Sequence, residues 1–503
     1  MRNAFQLAIA LALFAFGGGL APGGPPESKD VAKVPFHAQG EKSGDPTQTS
    51  IILLTRLTAV EKGEIEQDVP GMDGRAHFEV SETPGFKASR MTPWVEATKD
   101  NDHTIKQTVT KLKSGRDYWY RVHITDVSGK GKRVGPARSF KTAPSADEQR
   151  NVRFAVITGQ GYATRDNDRG HVTYHGIDKL GIDFIALTGD TVYYDGPAGG
   201  IPKSLWPPGI ESSREVHRAV RKLLNEMTDD NAVLWLRKHW HAMYALPIQR
   251  EFFGKYAGYW EMDDHDYRSD DWSTHYKPGL LVFREQNPVP ERTYRTVRWG
   301  KGLQIWFLEG REFRNKGIKP ATLWGREQFE WLVKSLAESD AVFKVLVSPS
   351  PVVGSGRGGG YNPPPGSRSD NHGYPPFLEE RQAFFDQIIE SGVKDVYFVC
   401  GDRHAKYHNR GKKSRIHEFC CGSLSVKHGA RGNFWPDEDV SGLVDVLHDL
   451  DLDRTGGFLC VDVNVADETR RPTIAFTFYD PDGNKLDGWL FSNKVKLRER
   501  KSP

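Results

Sequence analysis

The chain has 503 residues, with 69 basic against 66 acidic side chains and a formal net charge of +3. That length supports two domains or more, each with its own core. So even a charge balance gives no electrostatic footprint for nucleic-acid binding. Four cysteines, Cys400, Cys420, Cys421 and Cys460, sit in apolar runs without a C-x-x-C spacing, and read as buried free thiols.

In chain order, residues 1–25 come first: Met1-Arg2, then LAIALALFAFGGGL. One positive charge before about a dozen apolar residues fits a Sec-type signal peptide and is short of the roughly 20 residues a membrane span needs. This predicts export to the periplasm or extracellular space, with an uncleaved signal as the one alternative; no other segment is apolar enough to span. Residues 30–148 read as all-β. TSIILLTRL and HTIKQTVTKL run apolar or alternate between turn residues, and DYWYRVHIT places Tyr118, Tyr120 and Val122 on one face. The stretch resembles a fibronectin type III or Ig-like sandwich. SADEQRN at 145–151 is polar and aperiodic, a linker.

From about 150 to 490 the rhythm changes to strands alternating with helical stretches, which predicts an α/β domain with sheets flanked by helices. RFAVITG, DFIALTGD, YWEMDDHD, LQIWFLEG, FKVLVSPSP, DVYFVCGDRH and RIHEFCCGS are the strands. SREVHRAVRKLLNEM, DNAVLWLRKHWHAMYAL, GREQFEWLVKSLAES and LEERQAFFDQIIESG are helical. Residues 354–376 form a long Gly/Pro-rich loop, and RRPTIAFTFYDPDGNKLDGWLF reads as a hairpin about Asp480–Asn484.

Several of these strands end in metal-ligand side chains: Thr158-Gly159-Gln160, then Gly189-Asp190-Thr191-Val192-Tyr193, then Asp263-Asp264-His265-Asp266, then Gly401-Asp402-Arg403-His404. A parallel or mixed α/β sheet brings the carboxyl ends of its strands to one rim. Acids, a tyrosine and histidines delivered there make an oxygen- and nitrogen-rich pocket, and crowded carboxylates call for hard cations to offset their repulsion.

This order of motifs resembles the PhoD-like alkaline phosphatases of the metallophosphoesterase superfamily. LEGREFR, LWGREQFEWL and HGYPPFLEERQAF are similar to further segments of that family, which also carries an N-terminal sandwich, so the likeness runs from about residue 30 to 480. It implies an exported phosphoric ester hydrolase, alkaline phosphatase or phosphodiesterase, with a dinuclear metal site and a metal-activated hydroxide. Asp190 would bridge two ions. Tyr193, Asp264, Asp402 and His404 would complete the ligand set, and His265 would be the general acid. Asp263 and Asp266 would support them by hydrogen bonding. The ions implied are Fe3+ with Ca2+ or another divalent ion, and the partner is a phosphate ester.

The chain departs from the family at Gly159, where the family has a cysteine ligand, which leaves three outcomes: a more open and solvated metal, substitution by another acid such as Asp166 or Asp168, or a different ion. Arg311 and Arg314 either hold phosphate or form salt bridges. His217, His239, His241 and His275 are expected to be surface or satisfied residues, and Asp370, Asn371 and His372 in the long loop are candidates only for an approach to substrate. Two other readings stay open: a purple-acid-phosphatase-like enzyme, and a catalytically degenerate binding protein that keeps the fold.

Overall fold

Alternation along residues 117–125 builds the first core. In the computed structural model, which describes residues 33–195, 202–269, 275–354, 377–428, 444–449, 456–465 and 471–494, Tyr118, Tyr120, Val122 and Ile124 point inward from strand Asp117–Thr125. They meet Phe78 and Val80 of the neighbouring strand Gly74–Ser81 and, from a facing sheet, Ile51, Leu53, Ile105 and Val109. The outward residues Arg121 and His123 pair with Glu79 at 2.6 and 2.8 Å. The result is a sandwich, as the alternation predicts.

One of its sheets does not stop at the domain. Strands Thr104–Val109, Ile51–Arg56 and Glu41–Gly44 continue, through a parallel pairing of Gly44 with Gly258, into strand Gly258–Glu261 of the second half. The nine-stranded sheet then runs through Phe184–Thr188, Val152–Ile157, Phe458–Asn464, Thr473–Tyr479 and Lys485–Lys494. The final hairpin turns at 480–484, where the Asp480 N–H donates to the Asn484 carbonyl. A polar stretch at 145–151 therefore links two halves whose strands share hydrogen bonds elsewhere.

A second, seven-stranded sheet faces the first in the second half of the chain, in the order 295–299, 303–307, 343–348, 396–400, 417–421, 406–411, 444–449. Between the sheets lie Phe154, Phe184, Tyr259, Trp299, Phe307 and Phe419, all buried, each contributing about 1.5–3 kcal/mol of hydrophobic stabilisation. Helices Ser213–Glu226, Asp229–Ala245, Pro247–Phe253 and Lys277–Gln286 cover the outer face of the nine-stranded sheet. Gly325–Glu338 and Leu378–Ser391 cover the other. Ser212 and Thr228 cap the first two helices by accepting from Glu215 and Asn231 N–H.

The strands and helices read from the sequence are all present. One motif differs in detail. Strand Gly258–Glu261 ends before the acids, and Asp264–Tyr267 is a single helical turn, with Asp263 and Asp266 forming a reciprocal cap. All four cysteines are buried and free. Among the described residues no helix is long and apolar enough to cross a membrane; the expected signal at 1–25 lies outside them, as do Asp370, Asn371 and His372.

Candidate metal centre

Two sheets meet at one rim. Strands Val152–Ile157, Phe184–Thr188 and Gly258–Glu261 are parallel neighbours, so residues 158–160, 189–195 and 262–266 leave the nine-stranded sheet on the same edge. Strand Val396–Cys400 brings 401–404 from the other sheet. The approach is close at Gly401, where a Cβ would lie 2.4 Å from Thr188 Oγ1 and 2.8 Å from Thr158 Oγ1. The backbone bends sharply to do this: Asp190, Asp402 and His404 all adopt left-handed φ, 55°, 63° and 55°. Such conformations cost about 1–3 kcal/mol each and persist where the surroundings over-determine them.

Asp190, Asp264 and His265 are buried and offer ligand atoms within 4.8 Å of one another. On the other side of Asp190, its Oδ2 accepts from the Tyr193 hydroxyl at 3.3 Å and lies 3.2 Å from His404 Nε2. Tyr193 Oη is 2.9 Å from the same nitrogen. Tyr193 is therefore the inward tyrosine of the pair; Tyr194 turns to the helices, where its hydroxyl accepts from Trp240 Nε1. Asp190 Oδ1 is buried with no hydrogen-bond partner. Burial and the charges of Asp264, Asp263 and Asp266 raise the Asp190 carboxyl well above its usual range, against the opposing charge of His265. A carboxylate with an unpartnered buried oxygen among other acids is the donor set a cation fits.

The surrounding acids have distinct tasks. Asp266 Oδ1 accepts from Thr191 and Val192 N–H at 2.8 and 3.0 Å, and Oδ2 from Asp263 N–H at 3.2 Å, so one carboxylate ties two ligand-bearing turns together. Asp263 accepts from Arg311 Nε at 2.8 Å in a wholly buried pair. Arg311 is thus a structural partner of the acidic turn. Glu309 caps the backbone N–H groups of Arg311 and Glu312, and Arg314 donates to the Gly310 carbonyl.

A residue absent from the sequence reading stands behind His265. Asp195 Oδ1 lies 2.7 Å from His265 Nδ1, Asp195 is fully buried, and Arg221 approaches its other oxygen at 3.6 Å. The Tyr193 ring lies over the imidazole at 4.2 Å between centroids. Burial would lower the His265 pKa, but Asp195, Asp264 and Asp190 outweigh it and raise it well above the ordinary value. The available signal was an acid five residues after Asp190, on the same side of the segment as Tyr193.

Asp402 is on the right loop, yet it lies outside the group of three, and its Oδ2 is 3.2 Å from Arg403 Nε. Gly159 has φ 67°, and a Cβ built on it would meet His404 Cδ2 at 2.9 Å and Ser423 Oγ at 2.8 Å. The imidazole thus borders the space a side chain at 159 would enter. Asp166 accepts from Val172 N–H, and the Asp168 side chain is exposed beside Arg165, so neither joins the cluster. His241 is held by Asp68 and Asp102, His239 Nδ1 faces the Trp235 carbonyl, and His275 lies 3.5 Å from the Tyr267 hydroxyl.

The profile of the PhoD-like phosphatase family matches residues 154–440, and that of its N-terminal domain matches 23–144. The chain belongs to the PhoD-like phosphatase family. As a member it is a phosphoesterase, and among curated proteins it is similar to alkaline phosphatase D of Bacillus subtilis (strain 168), 24% identical over 433 residues, covering 80% of this chain and 68% of that one. Among solved structures, that of PhoD superposes with a TM-score of 0.66 at 17% identity over 94% of both chains. A purple acid phosphatase from yellow lupin (Lupinus luteus) seeds gives 0.56 at 12% identity, over 91% of this chain and 74% of that one. The two share a fold with this PhoD-like phosphatase, and the family profile separates it from the purple acid phosphatase alternative.

Proposed function

We propose that this phosphatase hydrolyses phosphate esters with a pair of metal ions that share Asp190. The observation that carries the reading is that Asp190 has donors on both sides, Asp264 beside His265 on one and Tyr193 with His404 on the other. When bound there, metal ions neutralise phosphoryl oxygens and lower the pKa of water. Hard ions suit the set, in which phenol, carboxylate and imidazole are the donors; Fe3+ with Ca2+ or another divalent ion is the pairing proposed. Asp402, on the loop after strand Val396–Cys400, would be a further ligand of the set.

His265 is the proton donor to the departing alcohol oxygen. Asp195 holds its Nδ1, which fixes the ring and directs Nε2 to the site. Tyr193 limits its tilt from one side. Asp266 and the Asp263–Arg311 pair hold the turns, so that the donors stay within reach of one another as charge changes during turnover. Export through the N-terminal 1–25 segment is part of this proposal.

The test is elemental analysis of protein purified without added metal, with hydrolysis of aryl phosphate monoesters and diesters before and after chelation. About two ions per chain and activity that returns with metal are expected. Retained metal without hydrolysis of either ester class would instead fit a binding protein.

A further inference from the structure

Residues 63–68 are a short stretch by which the N-terminal domain touches the catalytic half. Gly63 lies against helix Asp229–Ala245 so closely that a Cβ on it would sit 2.6 Å from that of Ala245. Ile65 packs on the apolar core that contains Tyr162, Tyr194, Leu205 and Trp240. Glu66 makes three directed bonds: its N–H donates to Tyr162 Oη at 2.9 Å, Oε1 accepts from Arg165 Nη2 at 3.0 Å, and Oε2 accepts from Lys203 N–H at 2.5 Å. Asp68 follows, 3.1 Å from His241 Nδ1.

Three of these contacts land on segments that are next in chain or hydrogen-bonded to the candidate metal centre. Tyr162 stands two residues after Gln160, whose N–H donates to the Asp190 carbonyl at 3.0 Å. Lys203 opens the short helical turn Lys203–Leu205 on the chain that continues from Asp195. Trp240, next to His241, donates to Tyr194 between Tyr193 and Asp195. Glu66 itself has a left-handed φ of 62°, a strained choice for a glutamate, and in it backbone and carboxylate both meet the catalytic half. Its side chain is 31% exposed and Arg165 13%, so this is a rim contact rather than part of a core.

We propose that Glu66 is a positioning residue for the catalytic reaction: a carboxylate of the N-terminal domain that ties the 162–165 loop, which follows Gln160, to the 203–205 turn. This rests on the metal-centre reading above. The geometry joins the 160–165 loop to the 203–205 turn through one carboxylate, so that neither loop can shift without the other while it is in place. The sandwich is then an arm of the active site and not a spacer.

The test compares full-length wild type, Glu66→Ala, Glu66→Gln and, as a control on the same loop, Lys62→Ala. The readouts are kcat and KM on an aryl phosphate, metal per chain, melting temperature, and hydrogen exchange of peptides covering 160–166 and 203–206. Glu66→Ala is expected to lower kcat about tenfold with KM and melting temperature little changed, as removing a supporting partner does. Exchange in the two peptides should rise, Glu66→Gln should recover part of both effects by keeping one acceptor, and Lys62→Ala should match wild type. Wild-type kcat and exchange in Glu66→Ala, or losses that track a fallen melting temperature, overturn the proposal. A wild type that binds no metal and hydrolyses no ester sinks the metal-centre reading instead; the exchange data then decide the positioning role alone, and unchanged exchange defeats it.

Discussion

Asp102 and Asp190 are both buried aspartates with left-handed φ, 52° and 55°, and they meet opposite fates. Asp102 lies at the seam between the two halves. Its oxygens take His241 Nε2 at 2.6 Å, Gln286 Nε2 at 2.8 Å, and Arg56 Nε and Nη2 at 3.1 and 3.2 Å. Burial alone would raise this carboxyl, but His241 and Arg56 outweigh it and hold it well below the usual carboxylate range. Asp190 is buried among other acids, keeps one oxygen without a partner, and is pushed the other way. A carboxylate whose neutralising charges come from the chain itself is structural. One that the chain surrounds with other acids and leaves with an unpartnered buried oxygen fits the proposed cation.

The strongest way to break this contrast is Asp190→Asn. If both ions depend on that carboxylate, aryl phosphate hydrolysis should fall about a thousandfold or more, the several kcal/mol that metal ions contribute to phosphoryl transfer. Metal content should fall with it. Activity within tenfold of wild type at normal metal content would mean Asp190 is no bridge.

Asp195→Asn comes next. It leaves the fold of the site intact and removes the charge behind His265, so turnover should drop about 10–100-fold while metal stays bound. Loss of metal in step with turnover would make His265 a ligand rather than a proton donor.

Asp102→Asn sharpens the other half of the comparison. Removing one member of a buried charge network costs about 3–5 kcal/mol, measurable by denaturant unfolding, and hydrolysis at neutral pH should survive it. The pH signs differ too. The Asp102 carboxyl is lower in the folded protein, so its stabilisation is present above about pH 4 and lost as pH falls through the folded value. In the chelated protein the site acids do the reverse. Burial pushes Asp266 up to about 7, so the folded state holds protons the unfolded state has released, and stability should fall as pH rises from about 4 to 7. Melting curves from about pH 2 to about pH 7, with and without restored metal, check both signs.

Much of the fold was legible because periodicity is local. Tyr118, Tyr120 and Val122 share a face whatever surrounds them, and a strand has to alternate in that way to bury one side. The site was legible in part for the same reason: acids placed directly after apolar strands must emerge at a sheet edge. What escaped were pairings across long separations, such as Asp195 with His265, Glu66 with Arg165, and Asp263 with Arg311. In the sequence Asp195 and Glu66 look like any other solvated carboxylate, and Asp263 reads as a hydrogen-bonding support whose partner the sequence does not name.

The sequence by itself determined which segments are strands, that two architectures follow one another, and that Asp190, Tyr193, Asp264 and His404 stand at strand ends. Tertiary structure alone decided that two sheets meet at Gly401 and Thr188, that His404 reaches Asp190 from the opposite sheet, and that the sandwich continues the catalytic sheet at Gly44 and Gly258. The reason is range: alternation is fixed by neighbours within a few residues, whereas the burial and charge that give a carboxylate its role depend on groups that arrive only when distant parts of the chain pack together.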